Sequence, residues 1–393
     1  MPETKPMEGN QAVAEAMRQI NPDVVAAYPI TPSTEVVQTF STFVANGLVD
    51  TNFVAVESEH SAMSACTAAS IAGGRVMNAT SSQGLALMWE ILYITASLRA
   101  PVILTVVNRA LSGNINIHCD HSDSYGARDT GWLQIFGENV QEGYDNLIQA
   151  VRIGEHLDVR LPIMNCIDGF LVSHSYELLQ TEDDQAVKDF VGPYQAVNPL
   201  LDIKTPISVG PLDLWDYYFE HKRSQLTAYT PAKEVIVEVG KEFGKTFGRE
   251  YGLFEEFMLE DAEYAVVALG SAAGTAKDAV EALRADGMKA GLLKLRSYRP
   301  FPAAEIAAAL KGKKAIAIFD RAASYGAASH PLFSETAAGL YAAGQLIPAI
   351  NILYGLGGRE IIPDQIISVF RTLPSVAVAG QPADPVQYVG LRE

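Results

Sequence analysis

The chain has 393 residues, of which 48% are hydrophobic and 19% are charged, a composition typical of globular proteins with extensive cores. This length predicts two or three domains. The net charge of −17 argues against nucleic-acid binding, which depends on clustered Lys and Arg side chains.

Cysteine usage and hydrophobicity limit the metal content and the location. The three cysteines, Cys66, Cys119 and Cys166, include no close pair. Iron–sulfur clusters and structural zinc sites need about four ligands at tight spacing, so any cluster would lie on another chain. The polar first residues lack the features of a secretory signal, and no apolar run reaches the roughly 18 residues of a membrane span. We therefore predict a cytoplasmic location, no membrane contact and no metal site in this chain.

From residue 10 the chain alternates predicted helices and strands. The first helix spans Gln11–Ile20, and the segment VVAAYPI after it has the composition of a buried strand. Thr31 and Pro32 then predict a helix start, with Thr31 as the N-cap and Pro32 at the first helical position. This order predicts an α/β fold with a parallel sheet covered on both faces. The alternation continues with NFVAV (strand), Ser58–Ala72 (helix), RVMNAT (strand), Leu85–Leu98 (helix) and PVILTVV (strand).

The rest of the chain divides into three parts. The stretch from Asn108 to Thr130 is polar and rich in Gly, Asn, Asp, Ser and His, and long loops of this kind are usually functional. From about residue 180 to 260 the pattern weakens, which predicts a connecting segment that contacts a partner. A second α/β unit follows, with YAVVALG, AGLLKLRSY, KAIAIFD and PAINILYG as strands. We predict one domain at 1–235, including the connecting segment from about 180, and a second domain at 236–393.

Candidate site residues lie where apolar strands end, because ligands of open α/β sheets bind at the carboxyl ends of the strands. Thr31 follows the first strand, and its hydroxyl and the helix start beside it offer hydrogen-bond donors for an anion. On pattern alone, the favoured interpretation is that Thr31 only caps its helix. The segment Thr80-Ser81-Ser82-Gln83-Gly84 forms a small polar turn after the third strand, of a common kind that also binds anions or cofactors.

Two further strand ends carry charged residues. Glu57 and Glu59 open a helix rich in small residues, where the helix dipole by itself favours acidic side chains, so capping is the favoured interpretation. Arg109 follows the buried strand PVILTVV, where a cation is costly unless it meets an anion. The guanidinium could form a bidentate pair with a ligand carboxylate, or an ion pair with Asp120 or Asp123 of the chain itself. The pattern leaves both alternatives open.

The polar stretch also holds side chains that could ligate a metal. They are crowded along the chain, and no second cluster of ligands accompanies them, which argues against a well-shaped metal site. We predict instead that this segment is a mobile or cofactor-facing loop. The side chains in question are His118, Cys119, Asp120, His121 and Asp123.

Taken together, these segments resemble one family over nearly the whole chain. GNQAVAEAM, AAYPITPSTE, VESEHSAM, NATSSQGLALMWE, LTVVNRALSGNINIHCDHSDSYGARDTGW and IDGF are similar to the alpha subunits of 2-oxoacid:ferredoxin oxidoreductases, and most similar to the pyruvate type. VVALGSAAGTAKDAV and LRSYRPFP are similar to the second domain of this family, which resembles the C-terminal domain of transketolases. The resemblance implies a thiamine-diphosphate-binding domain that contacts the pyrimidine of the cofactor, followed by a transketolase C-terminal-like α/β domain.

The resemblance also implies a division of labour among subunits. Thiamine diphosphate would be shared with a beta subunit that holds the diphosphate and Mg²⁺. Iron–sulfur (4Fe–4S) clusters would lie on the beta and delta subunits, and a gamma subunit would complete the complex. This complex would oxidatively decarboxylate pyruvate with coenzyme A to acetyl-CoA and CO₂, and would reversibly pass the electrons to ferredoxin. The three scattered cysteines agree with clusters on other chains.

Residue roles are implied by the matching motifs. In the family a carboxylate hydrogen-bonds the pyrimidine ring of the cofactor, and Glu59 in SEH matches that carboxylate better than Glu57 does. Arg109 in NR would bind the substrate carboxylate, and Thr31 in YPITP would hydrogen-bond the substrate. Asn108 would line the substrate site. The other cofactor contacts implied by the resemblance are Pro29, Ile30, Ser82 and Gln83.

Charge favours pyruvate as the substrate. One arginine suits a monocarboxylate, whereas a dicarboxylate such as oxalate or 2-oxoglutarate would need a second cation near Arg109. Arg75 and Arg128 remain open for that role. The continuation NRALS is more similar to pyruvate enzymes than to 2-oxoglutarate enzymes.

Other functions are less well supported by the sequence. A transketolase-like enzyme without ferredoxin would carry its own GDG diphosphate motif, and a nicotinamide dehydrogenase would carry G-x-G-x-x-G after the first strand; the sequence has neither. A purely structural subunit is disfavoured by Thr31, Glu59 and Arg109 at strand ends.

Overall fold

The computed structural model describes residues 3–111, 113–380, 382 and 384–392. Within these ranges the strands form two large sheets and one small antiparallel pair. The small pair joins β1 (Glu3–Glu8) to the later strand β8 (Tyr176–Thr181). The first helix follows β1 directly.

The first large sheet is parallel apart from one edge strand. Its strands are β2 (Val24–Ala27), β3 (Asn52–Ala55), β4 (Val76–Thr80), β5 (Ile103–Asn108), β6 (Leu133–Phe136), β7 (Ile163–Asp168) and β12 (Ser297–Arg299). They lie in the order β12-β6-β7-β5-β4-β2-β3, and only β12 runs antiparallel to its neighbour. The central strands β4, β5 and β7 are buried along their whole length, because crossover helices cover both faces of a parallel sheet.

Helices on the two faces of this sheet belong to different cores. On one face, α1, α2 and α7 share an apolar core with α10; on the other, α3 and α5 pack towards the second sheet. The helices are α1 (Gly9–Ile20), α2 (Thr34–Ala45), α3 (Glu59–Ala72), α4 (Ser82–Leu87), α5 (Trp89–Ser97), α6 (Ser122–Gly126), α7 (Val140–Glu155), α8 (Asp184–Val191), α9 (Tyr218–Thr227) and α10 (Tyr229–Phe247).

The second large sheet is built in the same way. Its strands are β9 (Phe254–Phe257), β10 (Tyr264–Ala268), β11 (Ala290–Leu295), β13 (Ala315–Asp320), β14 (Ala349–Tyr354) and β15 (Val386–Val389). They lie in the order β15-β14-β13-β10-β11-β9, with only β9 antiparallel. The helices are α11 (Ala272–Ala285), α12 (Ala303–Leu310), α13 (Pro331–Ala342) and α14 (Pro363–Ala379). The fold class predicted from the sequence is therefore confirmed.

The two sheets share one apolar core. Leu104 and Val106 of β5 belong to the same cluster of buried side chains as Leu293 of β11 and Ile318 of β13. The second unit also lends β12 to the edge of the first sheet. The two units are thus held together by both main-chain and side-chain contacts.

Three local predictions differ from the structure. Helix α2 begins at Thr34 with Ser33 as its N-cap, so Thr31 does not cap it. The reason is a turn before the helix, in which the Ser33 N–H and hydroxyl both donate to the carbonyl of Ile30 at 2.8 Å. The predicted helix Leu85–Leu98 is two helices that meet at Met88.

The segment AGLLKLRSY is also two strands, because β11 ends at Leu295 and β12 pairs with the other sheet. The weak stretch from 180 to 260 contains α8, α9, α10 and β9, and α10 packs into the first core. The predicted domain boundary at 235/236 falls inside α10 and stays a prediction. Among the described helices, none combines the length and apolar character needed to cross a lipid bilayer.

Candidate active site

The carboxyl ends of β2, β3, β4 and β5 meet at one edge of the first sheet, since these strands are parallel neighbours. Each is followed by residues that the sequence had marked as candidates. The structure brings together Thr31 after β2, Glu59 after β3, Ser82 and Gln83 after β4, and Asn108 with Arg109 at the end of β5.

Glu59 is a buried carboxylate that accepts no hydrogen bond from the residues that the structure describes. It is the first residue of α3, only 7% exposed, and Ser58 before it caps the helix by accepting a hydrogen bond from the Ser61 N–H at 3.2 Å. Ser58, and not the acidic residue that the sequence pattern suggested, therefore caps the helix. No residue that the structure describes donates a hydrogen bond to the Glu59 carboxylate. A buried carboxylate in this state is costly, so it is suited to a donor on a bound molecule.

A glycine of α4 lets the Glu59 side chain pack closely against that helix. A Cβ atom on Gly84 would lie 2.8 Å from Oε1 of Glu59 and 2.4 Å from Oγ1 of Thr80. The hydroxyls of Thr80 and Ser81 are buried and have no hydrogen-bond partner among the described residues. The turn after β4 therefore offers unsatisfied polar atoms on the same side as the carboxylate.

Ser82 fastens this turn to the end of β5. Its N–H donates to Oδ2 of Asp123 at 3.0 Å, and its hydroxyl donates to the carbonyl of Ala110 at 2.6 Å. The hydroxyl also lies 2.6 Å from Oε1 of Gln83. Ser82 has a positive φ of 44°, a conformation that costs energy for a residue with a side chain. The surrounding hydrogen bonds hold it there.

Arg109 is a buried cation held by main-chain carbonyls. It is 6% exposed, and its guanidinium donates from Nε to the carbonyl of Asn116 at 3.1 Å and from Nη1 to the carbonyl of Thr31 at 2.9 Å. Nη2 has no partner within the described part of the chain. Burial lowers the pKa of Arg109, although the nearby carboxyl of Asp123 opposes this.

The two alternatives left open for Arg109 are now distinguishable. Its guanidinium forms no ion pair with Asp120 or Asp123 in the ranges that the structure describes; Asp123 instead accepts the main-chain N–H of Arg109 at 3.0 Å. The hydrogen-bond partners of the guanidinium are carbonyls, so among the described residues no carboxylate is directly paired with it. The geometry favours a carboxylate of a bound molecule as the missing anion.

Thr31 and its neighbours form the rim of this edge. Thr31 is exposed, and its hydroxyl has no hydrogen-bond partner among the residues described. Pro29 is exposed and Ile30 half-buried on the chain leading to it. The carbonyl contact from Arg109 fixes where this rim lies relative to β5.

Asp123 organises the site, a role that the sequence did not reveal. It is 4% exposed and accepts hydrogen bonds from the N–H groups of Ser82, Arg109 and Ser124 and from Nδ2 of Asn108 at 2.8 Å. Burial raises its pKa to about 6 in spite of these four donors. The sequence had marked Asp123 only as a possible ion-pair partner of Arg109 and as one of the possible metal ligands in the polar stretch.

Asn108 is fully buried at the end of β5. Its Nδ2 donates to Asp123 and to Oγ of Ser124, both at 2.8 Å. Its Oδ1 is buried and has no hydrogen-bond partner among the described residues. Behind it, a Cβ on Gly169 would lie 2.3 Å from the carbonyl oxygen of Asn108, so that position accepts only glycine.

A second buried cluster joins the site to the second unit. Nε2 of His121 lies 2.7 Å from Oδ1 of Asp168, while Nη1 of Arg321 and Oγ of Ser271 donate to Oδ2 at 3.0 and 2.6 Å. His121 and Arg321 hold the pKa of Asp168 well below its usual range despite full burial. Asp168 and Arg321 each stand at the end of a strand, so the rule that identified Arg109 also points to them.

This cluster is poorly suited to a metal ion. Ligand atoms of Cys119, His121 and Asp168 lie within 4.8 Å of one another. However, the guanidinium of Arg321 already occupies the carboxylate and would repel a cation. Burial raises the pKa of Cys119 well above its usual value, so it stays a thiol.

The other two arginines considered for substrate binding are engaged elsewhere. Arg75 forms a bidentate pair with Glu155 at 2.7 and 2.8 Å, and it precedes β4, at the opposite edge of the sheet. Arg128 donates to the carbonyl of Tyr125 at 2.8 Å and lies near Asp129.

The fold and the site together define a class of protein. Among the described residues, the carboxyl edge of this sheet carries a buried carboxylate and a buried guanidinium that have no ionic partner. Such an edge is typical of α/β enzyme domains that bind an organic cofactor and an anionic substrate.

Comparison with known proteins identifies the family. Residues 15–241 match the family described as pyruvate flavodoxin/ferredoxin oxidoreductase, thiamine diphosphate-binding, and residues 262–366 match the pyruvate:ferredoxin oxidoreductase core domain II. The chain is 51% identical to a pyruvate synthase subunit PorA of Thermotoga maritima, over 98% of this chain and 97% of that protein. It is 41% identical to the same subunit of Methanocaldococcus jannaschii, over 100% and 99%. The chain therefore belongs to the 2-oxoacid:ferredoxin oxidoreductase family, as an alpha-type subunit.

Other similar proteins show how far the family extends. A ketoisovalerate oxidoreductase subunit VorA of Pyrococcus abyssi is 39% identical, over 100% of this chain and 98% of that protein. Among solved structures, a 2-oxoglutarate:ferredoxin oxidoreductase from Magnetococcus marinus has a TM-score of 0.73 at 19% identity, covering 94% of this chain and 65% of that chain. A split gene transketolase has a TM-score of 0.56 at 11% identity, covering 95% and 100%. These two structures share the fold.

Proposed function

We propose that this chain is the alpha subunit of a multi-subunit enzyme that uses thiamine diphosphate to oxidise pyruvate. The reaction converts pyruvate and coenzyme A to acetyl-CoA and CO₂, passes the electrons to ferredoxin and is reversible. The observation that carries the proposal is the buried guanidinium of Arg109, which lacks a carboxylate partner among the described residues and lies at the same sheet edge as Glu59. The 51% identity to a pyruvate synthase subunit supports the choice of reaction.

Glu59 would accept a hydrogen bond from the pyrimidine ring of the cofactor. Its carboxylate has no competing donor among the residues described, and the absence of a side chain at Gly84 allows it to lie where it does. Bound thiamine diphosphate supplies the carbon nucleophile and takes up the electrons left when CO₂ departs. In this low-dielectric setting the hydrogen bond to Glu59 is stronger than it would be in water. The residues expected to line the cofactor are Pro29, Ile30, Ser82 and Gln83.

Arg109 would bind the carboxylate of pyruvate. Nη2 of Arg109 has no hydrogen-bond partner among the described residues, and a guanidinium matches a carboxylate in two parallel hydrogen bonds. The Thr31 hydroxyl would donate to the substrate from the rim. Asn108 lines the base of the site and holds Asp123 in place.

Charge supports a monocarboxylate. Arg75 and Arg128 are both paired with acidic residues of the chain, so neither supplies a second cation for 2-oxoglutarate or oxalate. A 2-oxoisovalerate enzyme would need the same single cation, and one relative carries a ketoisovalerate name. The higher identity to a pyruvate synthase subunit favours pyruvate between the two.

Partner chains would supply the remaining parts. The sequence lacks a GDG motif for the diphosphate and its Mg²⁺, and it has three separated cysteines where each cluster needs about four. A beta subunit would hold the diphosphate and Mg²⁺, and the clusters would lie on the beta and delta subunits. A gamma subunit would complete the complex, which would lie in the cytoplasm.

The test is a substrate comparison on the complex purified anaerobically with its natural partners. Reduction of a viologen dye would be measured with pyruvate, 2-oxoisovalerate and 2-oxoglutarate in the presence of coenzyme A. Oxalate would be tested with and without coenzyme A, because it loses both carbons as CO₂ and leaves no acyl group to transfer. The highest kcat/KM with pyruvate is expected. A preference for a dicarboxylate would keep the family and overturn the single-cation argument, and a preference for 2-oxoisovalerate would overturn the choice between the two monocarboxylates.

A further inference from the structure

We infer that a glycine turn of the second unit, residues 355–358, positions Arg109 for its substrate by holding the loop on which Arg109 depends. The polar loop is defined here as residues 109–121, of which 112 lies outside the described residues. This inference rests on the proposed function, because it assigns the substrate-binding role to Arg109.

The side chain of Arg109 is hydrogen-bonded to the polar loop. Nε of Arg109 donates to the carbonyl of Asn116 at 3.1 Å, so the direction of the guanidinium depends on where Asn116 lies. The loop closes on itself through the Ala110 N–H, which donates to the carbonyl of His118 at 2.9 Å. However, residues 113–115 and 117–118 are exposed, and Ile115 is 80% exposed. Residues 113–115 at the tip of the loop therefore have little packing to fix them, whereas the ring of His118 lies against Phe170 with a centroid distance of 4.8 Å.

The polar loop is in turn hydrogen-bonded to the glycine turn. Nδ2 of Asn116 donates to the carbonyl of Gly357 at 3.2 Å, and the N–H of Gly358 donates to the carbonyl of Cys119 at 2.6 Å. The side chain of Asn116 also accepts from the N–H of His118 at 2.7 Å through Oδ1. Asn116 therefore connects Arg109, through its carbonyl, to the second unit, through its side chain.

Two positions of the glycine turn leave no room for a side chain. A Cβ on Gly357 would lie 2.4 Å from Nδ2 of Asn116, and a Cβ on Gly358 would lie 2.3 Å from Cβ of His118. Gly357 and Gly358 also have positive φ values of 63° and 83°. The loop approaches so closely that both positions need glycine for space as well as for conformation.

The turn is itself anchored at the site. Nε of Arg321 donates to the carbonyl of Gly355 at 3.2 Å, and Nη1 of the same side chain donates to Asp168 at 3.0 Å. The carbonyl of Arg321 accepts the His121 N–H at 2.9 Å, at the far end of the polar loop. The polar loop is thus hydrogen-bonded to the glycine turn near its tip and to the carbonyl of Arg321 at its end.

The test uses one variant on each side of the contact. Gly358→Ala pushes the loop away from the turn, and Asn116→Ala removes the hydrogen bond to Gly357 while leaving the main-chain carbonyl that Arg109 uses. Gly344→Ala is the matched control, because Gly344 has a similar φ of 69° but no atom within 4 Å of the added Cβ. All three are made in the alpha subunit of the intact complex.

We expect a rise in KM for the 2-oxoacid with a smaller change in kcat, since a carboxylate clamp contributes to ground state and transition state alike. The rise should be on the order of tenfold for Gly358→Ala, as expected when a binding group is displaced. For Asn116→Ala it should be about threefold to tenfold, the range for one hydrogen bond. The rise in KM of the double variant should be smaller than the product of the two single rises, because both substitutions break the same contact.

A general loss of stability would lower the amount of active complex, and so kcat, without moving KM. The inference is overturned if Asn116→Ala and Gly358→Ala match Gly344→Ala in KM, or if their effects multiply independently. The measurements use whichever 2-oxoacid the wild-type complex oxidises best, so an error in the choice of pyruvate would be seen in the wild type and would leave this test valid.

Discussion

The guanidinium of Arg109 donates hydrogen bonds to two carbonyls and, among the described residues, to no carboxylate. Because this cation is buried, binding an anionic ligand should stabilise it more than the same ligand would stabilise an exposed arginine. We expect Arg109→Gln to raise the KM for pyruvate by about a hundredfold, the worth of a charge-assisted pair. Arg109→Lys should recover only part of this loss, because an ammonium cannot form the two parallel bonds.

Steady-state kinetics of the purified complex would measure these changes. Arg128→Gln is the control, since the Arg128 guanidinium is already engaged by the Tyr125 carbonyl and Asp129. An unchanged KM in Arg109→Gln would show that the substrate carboxylate binds elsewhere.

Asp123 predicts a pH dependence of stability. Burial raises its pKa to about 6, above the value of 3.8 for an ordinary aspartate. The folded chain then binds a proton more tightly than the unfolded chain, so this contribution to stability is full below about pH 4 and is lost as pH rises through about 6. Asp123→Asn does not titrate. The free energy of unfolding of the wild type, relative to this variant, should fall by up to about 3 kcal/mol between those limits.

Denaturant unfolding of both purified chains across this pH range would measure the difference. All other groups titrate alike in the two chains, so the comparison isolates Asp123. A difference that does not vary with pH, or that rises, would contradict the raised pKa.

Individual site residues were predictable where they directly follow a predicted strand. Glu59 and Arg109 follow apolar strands, and parallel strands bring such residues to one edge whatever the details of packing. The partners of these residues were not predictable in the same way. Whether Arg109 met Asp123 or a ligand depended on the path of the polar loop, and that path is set by contacts with residues more than 200 positions away.

At the scale of elements, the start of α4 controls the space beside Glu59. Gly84 is helical with no positive φ, so alanine suits its backbone, but the added Cβ would lie 2.8 Å from the Glu59 carboxylate. We expect Gly84→Ala to lower kcat at least about tenfold by displacing that carboxylate.

The same assay with Gly113→Ala provides the control. Gly113 lies in the polar loop, also without a positive φ, and its added Cβ would meet no atom within 4 Å. Full activity in Gly84→Ala would mean that the cofactor does not depend on the position of Glu59.

Elements with strong periodicity were predicted well, and those set by tertiary contacts were not. The strands β4, β5 and β7 are short, mostly apolar segments, so their prediction needed no knowledge of neighbours. In contrast, β12 exists because three residues reach the edge of the other sheet, and local sequence holds no sign of that pairing. Helix α9 has no buried residue, so it lacks the apolar stripe by which helices are recognised.

At the scale of the whole molecule, the second unit contributes to the site itself. It lends β12 to the first sheet, shares an apolar core with it, and reaches the site through Arg321 and the glycine turn. The order of units along the chain was evident from the sequence. Their contact was not, because the cluster of His121, Asp168 and Arg321 joins residues that are up to 200 positions apart.

The central claim is that this chain contributes catalytic residues and does more than support its partners. The most direct measurement compares Glu59→Gln with Glu57→Gln in the purified complex, by coenzyme A-dependent viologen reduction with pyruvate. Glu57 is exposed and its carboxylate accepts a hydrogen bond from the neighbouring Ser61, so its replacement should leave kcat unchanged. Glu59→Gln should lower kcat by about a hundredfold or more, with little change in KM. Equal and undiminished turnover in both variants would contradict the claim and would leave the chain a structural subunit.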